Sequence, residues 1–302
     1  MYFVFLSNYH APMLKAYSWI ITSYLVAFFA AFIFLRYVQS EQSLLVQTFY
    51  ADVIATVIIF LFSLFFRNAS FYDPFWSVVP FVICLFWVYR SDSEYFWRDI
   101  FLLTSFFIWG VRLTSNWIKG WKGLQHEDWR YGALRKQTGK WYPLVNFSGI
   151  HFFPTVIVFI GMLPAYYSIM HAEKEISYLD LFAISLCITA TLIEYYADEQ
   201  QRAFRLNRKD EKEFCQSGLW KFSRHPNYFG EVLFWWGIYL FILSANPAFW
   251  WTIIGPISMT MMFLFISIPM MEKHLLEKRP AYRNYQHNVS SLIPWFQKSK
   301  HL

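Results

Sequence analysis

Long apolar runs separated by short polar stretches set the reading of this chain. A bilayer core of roughly 30 Å is crossed by about 20 apolar residues in helical form. Eight runs approach that length, at about 17–38, 46–66, 75–90, 98–116, 150–170, 178–197, 228–244 and 248–271. The pattern predicts an all-α fold, a polytopic transmembrane helix bundle of seven to eight spans. The third run is short and contains Pro80, and the fourth is flanked by Arg98, Asp99 and Arg112. Those two could instead form one re-entrant unit. No lysine or arginine precedes Lys15 and no small-residue cleavage site follows the first run, so the N-terminus reads as a retained anchor rather than a secretory signal.

Composition agrees with this picture. The 302 residues are 57% hydrophobic and 23% aromatic but only 15% charged, outside the range of soluble domains. Fifteen tryptophans and twenty tyrosines suit a protein with two water–lipid interfaces. Cys84 and Cys187 fall inside apolar runs and Cys215 stands alone, so neither a disulfide framework nor a cysteine metal site is indicated. The net charge of +6 could suggest nucleic acid, but no such motif is present. Its distribution carries the information. Of 26 lysines and arginines, 22 lie at Lys15, Arg67, the 112–149 and 198–227 loops and the tail after 271. Arg36, Arg90, Arg98 and Lys174 fall on the other side. The asymmetry predicts eight spans with both termini cytoplasmic, in a bacterial plasma membrane or the endoplasmic reticulum. No protein partner is indicated; the expected partners are membrane lipid and a lipophilic small molecule.

Ionisable residues at membrane depth are costly and mark candidate sites. Here they are Asp52, Asp180, Glu194 and Glu231, with Asp73 at a span edge. Asp180 lies near a helix start, where a carboxylate suits the helix dipole. Glu194, Asp198 and Arg202 recur at i, i+4 and i+8 on one helix face, with Arg205 nearby. That spacing suits either a ladder of ion pairs or one wall of a polar pocket. In "GLWKFSRHPNYFGEVLFWWG" (218–237), Pro226 suits a first helical position, and the free amides there, with Arg224 and His225, favour an anion. Glu231 follows Asn227 by one turn, on the same face. A helix cap accounts for Ser223, Pro226 and Asn227, but not for a glutamate inside the bilayer. Gly230 and Gly237 let a helix or a flat ligand approach closely.

At these residues the chain resembles the steroid 5-alpha-reductase superfamily, in its microbial reductase-like membrane branch. The resemblance rests on "GLWKFSRHPNYFGE" (218–231), "EYYADEQQRAFR" (194–205) and "MEKHLLEKRPAYRNYQHNVSSLIPW" (271–295), with "YDPFWS" (72–77) and "HEDWRYGALRK" (126–136). It covers 70–295, leaving 1–66 as N-terminal membrane helices and 296–302 as a tail. Isoprenylcysteine carboxyl methyltransferases share the RHPxYxG element; Asn227 with Glu231 resembles the NADPH-binding reductases, including the sterol C14 reductases.

The resemblance implies a cofactor pocket for NADPH in the C-terminal half; no metal site is indicated by the sequence. Asn227 and Glu231 would hold the nicotinamide end, and Asp198 and Arg205 the ribose and phosphates, with Arg202 and Arg224 assisting. His274 would meet the cofactor from the last helix, Tyr228 would line the pocket, and Arg112 and Asn116 fall where the family contacts its cofactor. Glu194 and His225 join the set through their places in these motifs. The family's early Gln-Glu pair and tyrosine have no clean counterpart. Asp73 and Trp76 occupy a similar stretch and Trp109 stands where the tyrosine is expected, which argues against steroid itself as substrate. The expected activity is NADPH-dependent hydride transfer to an activated, enone-like C=C bond of a lipophilic steroid- or isoprenoid-like molecule. Asp73, protonated by burial, or Tyr72 would polarise the acceptor oxygen beside Glu231. The alternatives are an S-adenosylmethionine-dependent methyltransferase and a non-enzymatic carrier. No inverted repeat or matched pair of broken helices supports the carrier.

Overall fold

The computed structural model describes residues 2–38 and 41–297, with the side chains of the first twelve residues left aside. Most of the expected tail, 298–302, lies outside the described residues. The fold is 80% helical, with no strand among the described residues. The helices are α1 (Tyr2–Tyr37), α2 (Leu44–Phe66), α3 (Phe75–Arg90), α4 (Phe96–Gly120), α5 (Trp129–Thr138), α6 (Tyr142–Val145), α7 (Phe153–Gly161), α8 (Leu163–Met170), α9 (Tyr178–Asn207), α10 (Pro226–Ala245), α11 (Ile254–Met262), α12 (Ile268–Lys278) and α13 (Tyr282–Asn288). Wider π turns join α6 to α7 at Asn146–Phe152 and α11 to α12 at Phe263–Ser267.

Local chemistry sets the boundaries. Ser43 caps α2 by accepting from the Val46 amide, and α2 stops where Arg67 turns left-handed at φ 53°. Ser177 and Asp180 form a reciprocal capping box at the start of α9, the helix-start role expected of Asp180. Pro226 occupies the first turn of α10.

Seven helical stretches among the described residues are long and apolar enough to cross a bilayer: Met13–Tyr37, Leu44–Phe66, Ala69–Arg90, Trp129–Gly161, Tyr178–Asn207, Pro226–Ala245 and Pro247–Lys278. Two differences from the sequence expectation stand out. The expected fourth span forms as α4 but is not among the seven. The basic stretch before residue 149, expected as a loop, is largely helical. Asp128 caps α5 through the Arg130 amide, and Pro143 sits in the first turn of α6.

The chain divides into two compact units, Met1–Ile83 with Leu113–Phe159, and Cys84–Arg112 with Ile160–Leu302. In the first, α1 packs along α2, and the Asn68 side chain donates to the carbonyls of Leu124 and His126 at 2.8 and 3.1 Å. Ala69, Tyr131, Tyr142 and Ile150 form a small buried cluster.

In the second unit α9 and α10 form the closest seam. A Cβ on Gly237 would lie 2.6 Å from Cys187 Sγ, and one on Gly230 would lie 2.4 Å from Glu194 Cγ. The close approach those glycines permit is thus taken by a helix. Helix α4 joins α9 at two levels. Arg98, fully buried, donates to Asp180 at 2.8 Å and to the carbonyls of Lys174 and Glu175 at 2.9 and 3.0 Å. Arg112 pairs with Glu194 and Asp198. The two contacts are fourteen residues apart on both helices, so α4 and α9 run parallel for about 21 Å.

Removing one partner of a buried pair leaves the other charge uncompensated. Arg98→Met is therefore expected to cost about 3–5 kcal/mol, read as a lower unfolding midpoint in detergent, with Arg98→Met/Asp180→Leu recovering much of the loss. A wild-type midpoint for the single variant would contradict this anchoring role.

Candidate functional site

Glu231 lies one turn inside α10 and is 3% exposed. Its two oxygens accept from the indole N–H groups of Trp109 and Trp235, each at 3.1 Å. Trp235 is one turn further along α10, and Trp109 comes from α4. The glutamate thus faces helices rather than lipid, and both oxygens have donors.

Glu194, 1% exposed, and Asp198 lie one turn apart on α9 and share the Arg112 guanidinium. Asn227 Nδ2 donates to the other Asp198 oxygen at 3.2 Å. Glu194 and Glu231 are close enough to repel one another. Helices α4, α9 and α10 therefore bring Arg112, Glu194, Asp198, Asn227 and Glu231 into one cluster, buried at Glu194 and Glu231 and part-buried at the other three. Two atoms in it are buried without a hydrogen-bond partner in the protein, the donor Arg112 Nε and the acceptor Glu194 Oε1. Unmatched groups of this kind are rare in native interiors.

The mouth of α10 is closed by the C-terminal segment. Arg224 donates to Glu272 of α12 at 2.6 Å and to the carbonyls of Gln286 and Val289 at 2.5 and 2.7 Å. His225 Nε2 meets the same Glu272 oxygen at 3.1 Å, and its ring stacks on Tyr228 with centroids 5.3 Å apart. The Arg224 amide donates to Ser290 O at 2.9 Å and Ser223 Oγ to Leu292 O at 2.8 Å. The tail folds back over the start of α10, and Arg224 and His225 are engaged in holding it there.

The remaining candidates are placed as follows. Arg202 lies 3.4 Å from Glu199, and Arg205 is exposed near the end of α9. His274 is on α12, two residues beyond Glu272. Asn116, Tyr72 and Asp73 belong to the other unit. There the Tyr72 hydroxyl meets Thr155 Oγ1 at 2.8 Å, and Asp73 accepts from the Tyr131 hydroxyl.

Sequence reasoning overlooked the partners that hold these groups. Trp235 was legible as the i+4 neighbour of Glu231. Trp109 was noted only where the family's tyrosine is expected, and Glu272 and Tyr131 only within quoted motifs; none was tied to its partner, because each partner lies in a distant segment.

A match to the family described as "Protein of unknown function (DUF1295)" spans residues 59–289, well over half of the chain. The chain belongs to the DUF1295 family. That family is associated with steroid 5-alpha-reductase-like proteins and loosely linked to membrane reductases and methyltransferases. Among curated proteins, the DUF1295 chain is similar to an uncharacterized protein of Schizosaccharomyces pombe, 28% identical over 255 residues covering 76% of this chain and 73% of the relative. No solved structure matches it.

Two predictions follow from this geometry. A methyl group at Gly230 would also lie 2.8 Å from the Ala190 carbonyl, so α9 and α10 would have to separate. Gly230→Ala is expected to cost about 1–3 kcal/mol by overpacking, whereas Gly132→Ala, with nothing within 4 Å of its Cβ, is expected to be neutral or mildly stabilising. Equal unfolding midpoints for the two variants would contradict the seam.

The second concerns pH. Burial holds the His225 imidazole below its ordinary value, against the opposing pull of Glu272. The unfolded chain then takes up the proton first, so this contribution is complete above about pH 6.5 and is lost as pH falls below it. His225→Gln cannot titrate, and its midpoint is expected to fall less steeply than wild type below about pH 6.5. Parallel curves would contradict a buried, neutral His225.

Proposed function

We propose that this DUF1295 protein is an NADPH-dependent membrane reductase acting on an activated C=C bond of a lipophilic substrate. The observation that carries the reading is the unmatched pair in the α4–α9–α10 cluster. A primary carboxamide, the group on nicotinamide, has an N–H that can satisfy Glu194 Oε1 and a carbonyl that can satisfy Arg112 Nε. The donor and acceptor chemistry of the cluster therefore fits the nicotinamide end of the cofactor.

Each side chain then has a task. Arg112 and Glu194 bind the carboxamide, and Asn227 and Asp198 flank it. Trp109 and Trp235 fix both oxygens of Glu231, so that it orients rather than wanders. The packed aromatic rings of Phe106, Trp109, Phe234 and Trp235 shield Glu231 from water. Arg202 and Arg205 present positive charge towards the end of α9, suited to phosphates. When bound, the reduced nicotinamide would supply a hydride, as is the part of such cofactors.

The same reading favours α4 as an eighth crossing. It runs beside α9 for about 21 Å of helix, and its arginines are neutralised by α9 carboxylates along the way. Eight crossings place both termini on one side, the cytoplasmic one by the distribution of basic residues.

A second reading has a specific observation behind it. Three carboxylates around one guanidinium also suit a cation, such as the sulfonium of S-adenosylmethionine. The test therefore includes both. In detergent, NADPH at a hundredfold excess over its Kd should stabilise the protein by about 2.7 kcal/mol, and S-adenosylmethionine should not. Asn227→Ala and Glu231→Leu should remove that shift. Stabilisation by S-adenosylmethionine alone would overturn the reductase in favour of the methyltransferase, and stabilisation by neither would remove both.

A further inference from the structure

The first unit holds a second buried polar cluster at membrane depth. Asp52 and Thr56 lie one turn apart on α2, both buried, and Thr56 Oγ1 meets Thr155 Oγ1 at 2.9 Å. Thr155 Oγ1 also meets the Tyr72 hydroxyl at 2.8 Å and donates to His151 O at 2.9 Å. The His151 ring is fully buried, with its centroid 4.9 Å from that of Tyr72 and 5.4 Å from that of Phe60. Asn146, also buried, reaches Ser63 Oγ at 3.5 Å.

The chemistry of His151 is set by its neighbour. Nδ1 lies 3.0 Å from the Asn146 carbonyl, which can only accept, so Nδ1 carries the proton. In the neutral ring Nε2 is then a bare lone pair, and it is buried with no partner. Asp52 Oδ1 and Asn146 Oδ1 are likewise buried without partners. Asn146 and His151 both lie in the π turn, a feature often found at functional sites. Two unmatched acceptors in one cluster, His151 Nε2 and Asn146 Oδ1, call for a donor.

The surroundings of the cluster favour a donor carried on an apolar molecule. The cluster is built on α2 and on the Trp129–Gly161 stretch, both long and apolar enough to span a bilayer. Phe60 lies against His151 and packs on Phe147, with ring centroids 5.0 Å apart. A ketone or ester offers no proton to Nε2; an alcohol does.

We propose that the first unit contains a binding site for the hydroxyl group of a lipid alcohol, the hydroxyl donating to His151 Nε2 while the hydrocarbon lies against Phe60 and Phe147. The site lies wholly within the first unit and stands independently of the cofactor proposed for the second.

The test uses the full chain in lipid nanodiscs with a long-chain primary alcohol carrying a diazirine, and the matching methyl ether. Irradiation and peptide mapping locate the label. The alcohol is expected to label 44–66 and 142–161 about fivefold more than the ether, the preference one net hydrogen bond supplies. His151→Leu should abolish that preference. His151→Gln should retain it, because its amide N–H can serve the Asn146 carbonyl while its oxygen accepts the hydroxyl. Should His151→Leu fail to fold, competition on wild type decides: excess unlabelled alcohol should block labelling and unlabelled ether should not. Equal labelling by alcohol and ether, labelling confined to other segments, as expected if the cluster holds only water, or a preference that survives His151→Leu would overturn the proposal.

Discussion

A charge buried at membrane depth has to be neutralised where it sits, and the second unit is organised by that constraint. Arg112 is its centre. One guanidinium answers two carboxylates on α9, and through Asp198 it reaches Asn227 at the start of α10. Four turns away, Arg98 and Asp180 repeat the match, with every nitrogen of the guanidinium engaged. The two pairs set the register of α4 against α9. Two glycines then let α10 close on α9 until its backbone nearly touches Glu194 and Cys187. Beside that seam Glu231 accepts from Trp235 of its own helix and from Trp109 of α4.

Much of this was legible before the fold was known. Apolar run length located the helices, because a bilayer imposes one length on every crossing. Three motifs far apart in sequence were expected to meet, and within the second unit Asp198 contacts Asn227 while Glu272 contacts Arg224 and His225. Ion pairing across helices was not legible. Arg98, Asp99 and Arg112 weakened α4 as a span, since hydropathy counts a charge without knowing its partner. The Asp180 and Glu194 carboxylates that neutralise those arginines lie 82 residues further on. The stretch before residue 149 was misjudged for a related reason. Its helices are held by capping and by buried tyrosines rather than by a continuous apolar face.

The two polar clusters differ in kind. That of the second unit is dominated by formal charge, with one guanidinium set among carboxylates and an unmatched donor and acceptor on paired side chains. That of the first unit has hydroxyls, an imidazole, an amide and one carboxyl, and His151 Nε2 and Asn146 Oδ1 are its unmatched acceptors. The first arrangement suits a polar cofactor group with both donor and acceptor character. The second suits a simpler occupant, a lone hydroxyl on an apolar body. Neither is what a bilayer protein keeps for stability alone, because an unmatched polar atom in hydrocarbon surroundings costs more than an apolar replacement.

The most direct measurement is a cryo-electron microscopy map of the protein in nanodiscs with bound NADPH. The account predicts nicotinamide density against Arg112, Glu194 and Asn227, with the phosphates towards Arg202 and Arg205. A map with the nucleotide bound elsewhere, and with the α4–α9–α10 cluster closed upon itself, would contradict it.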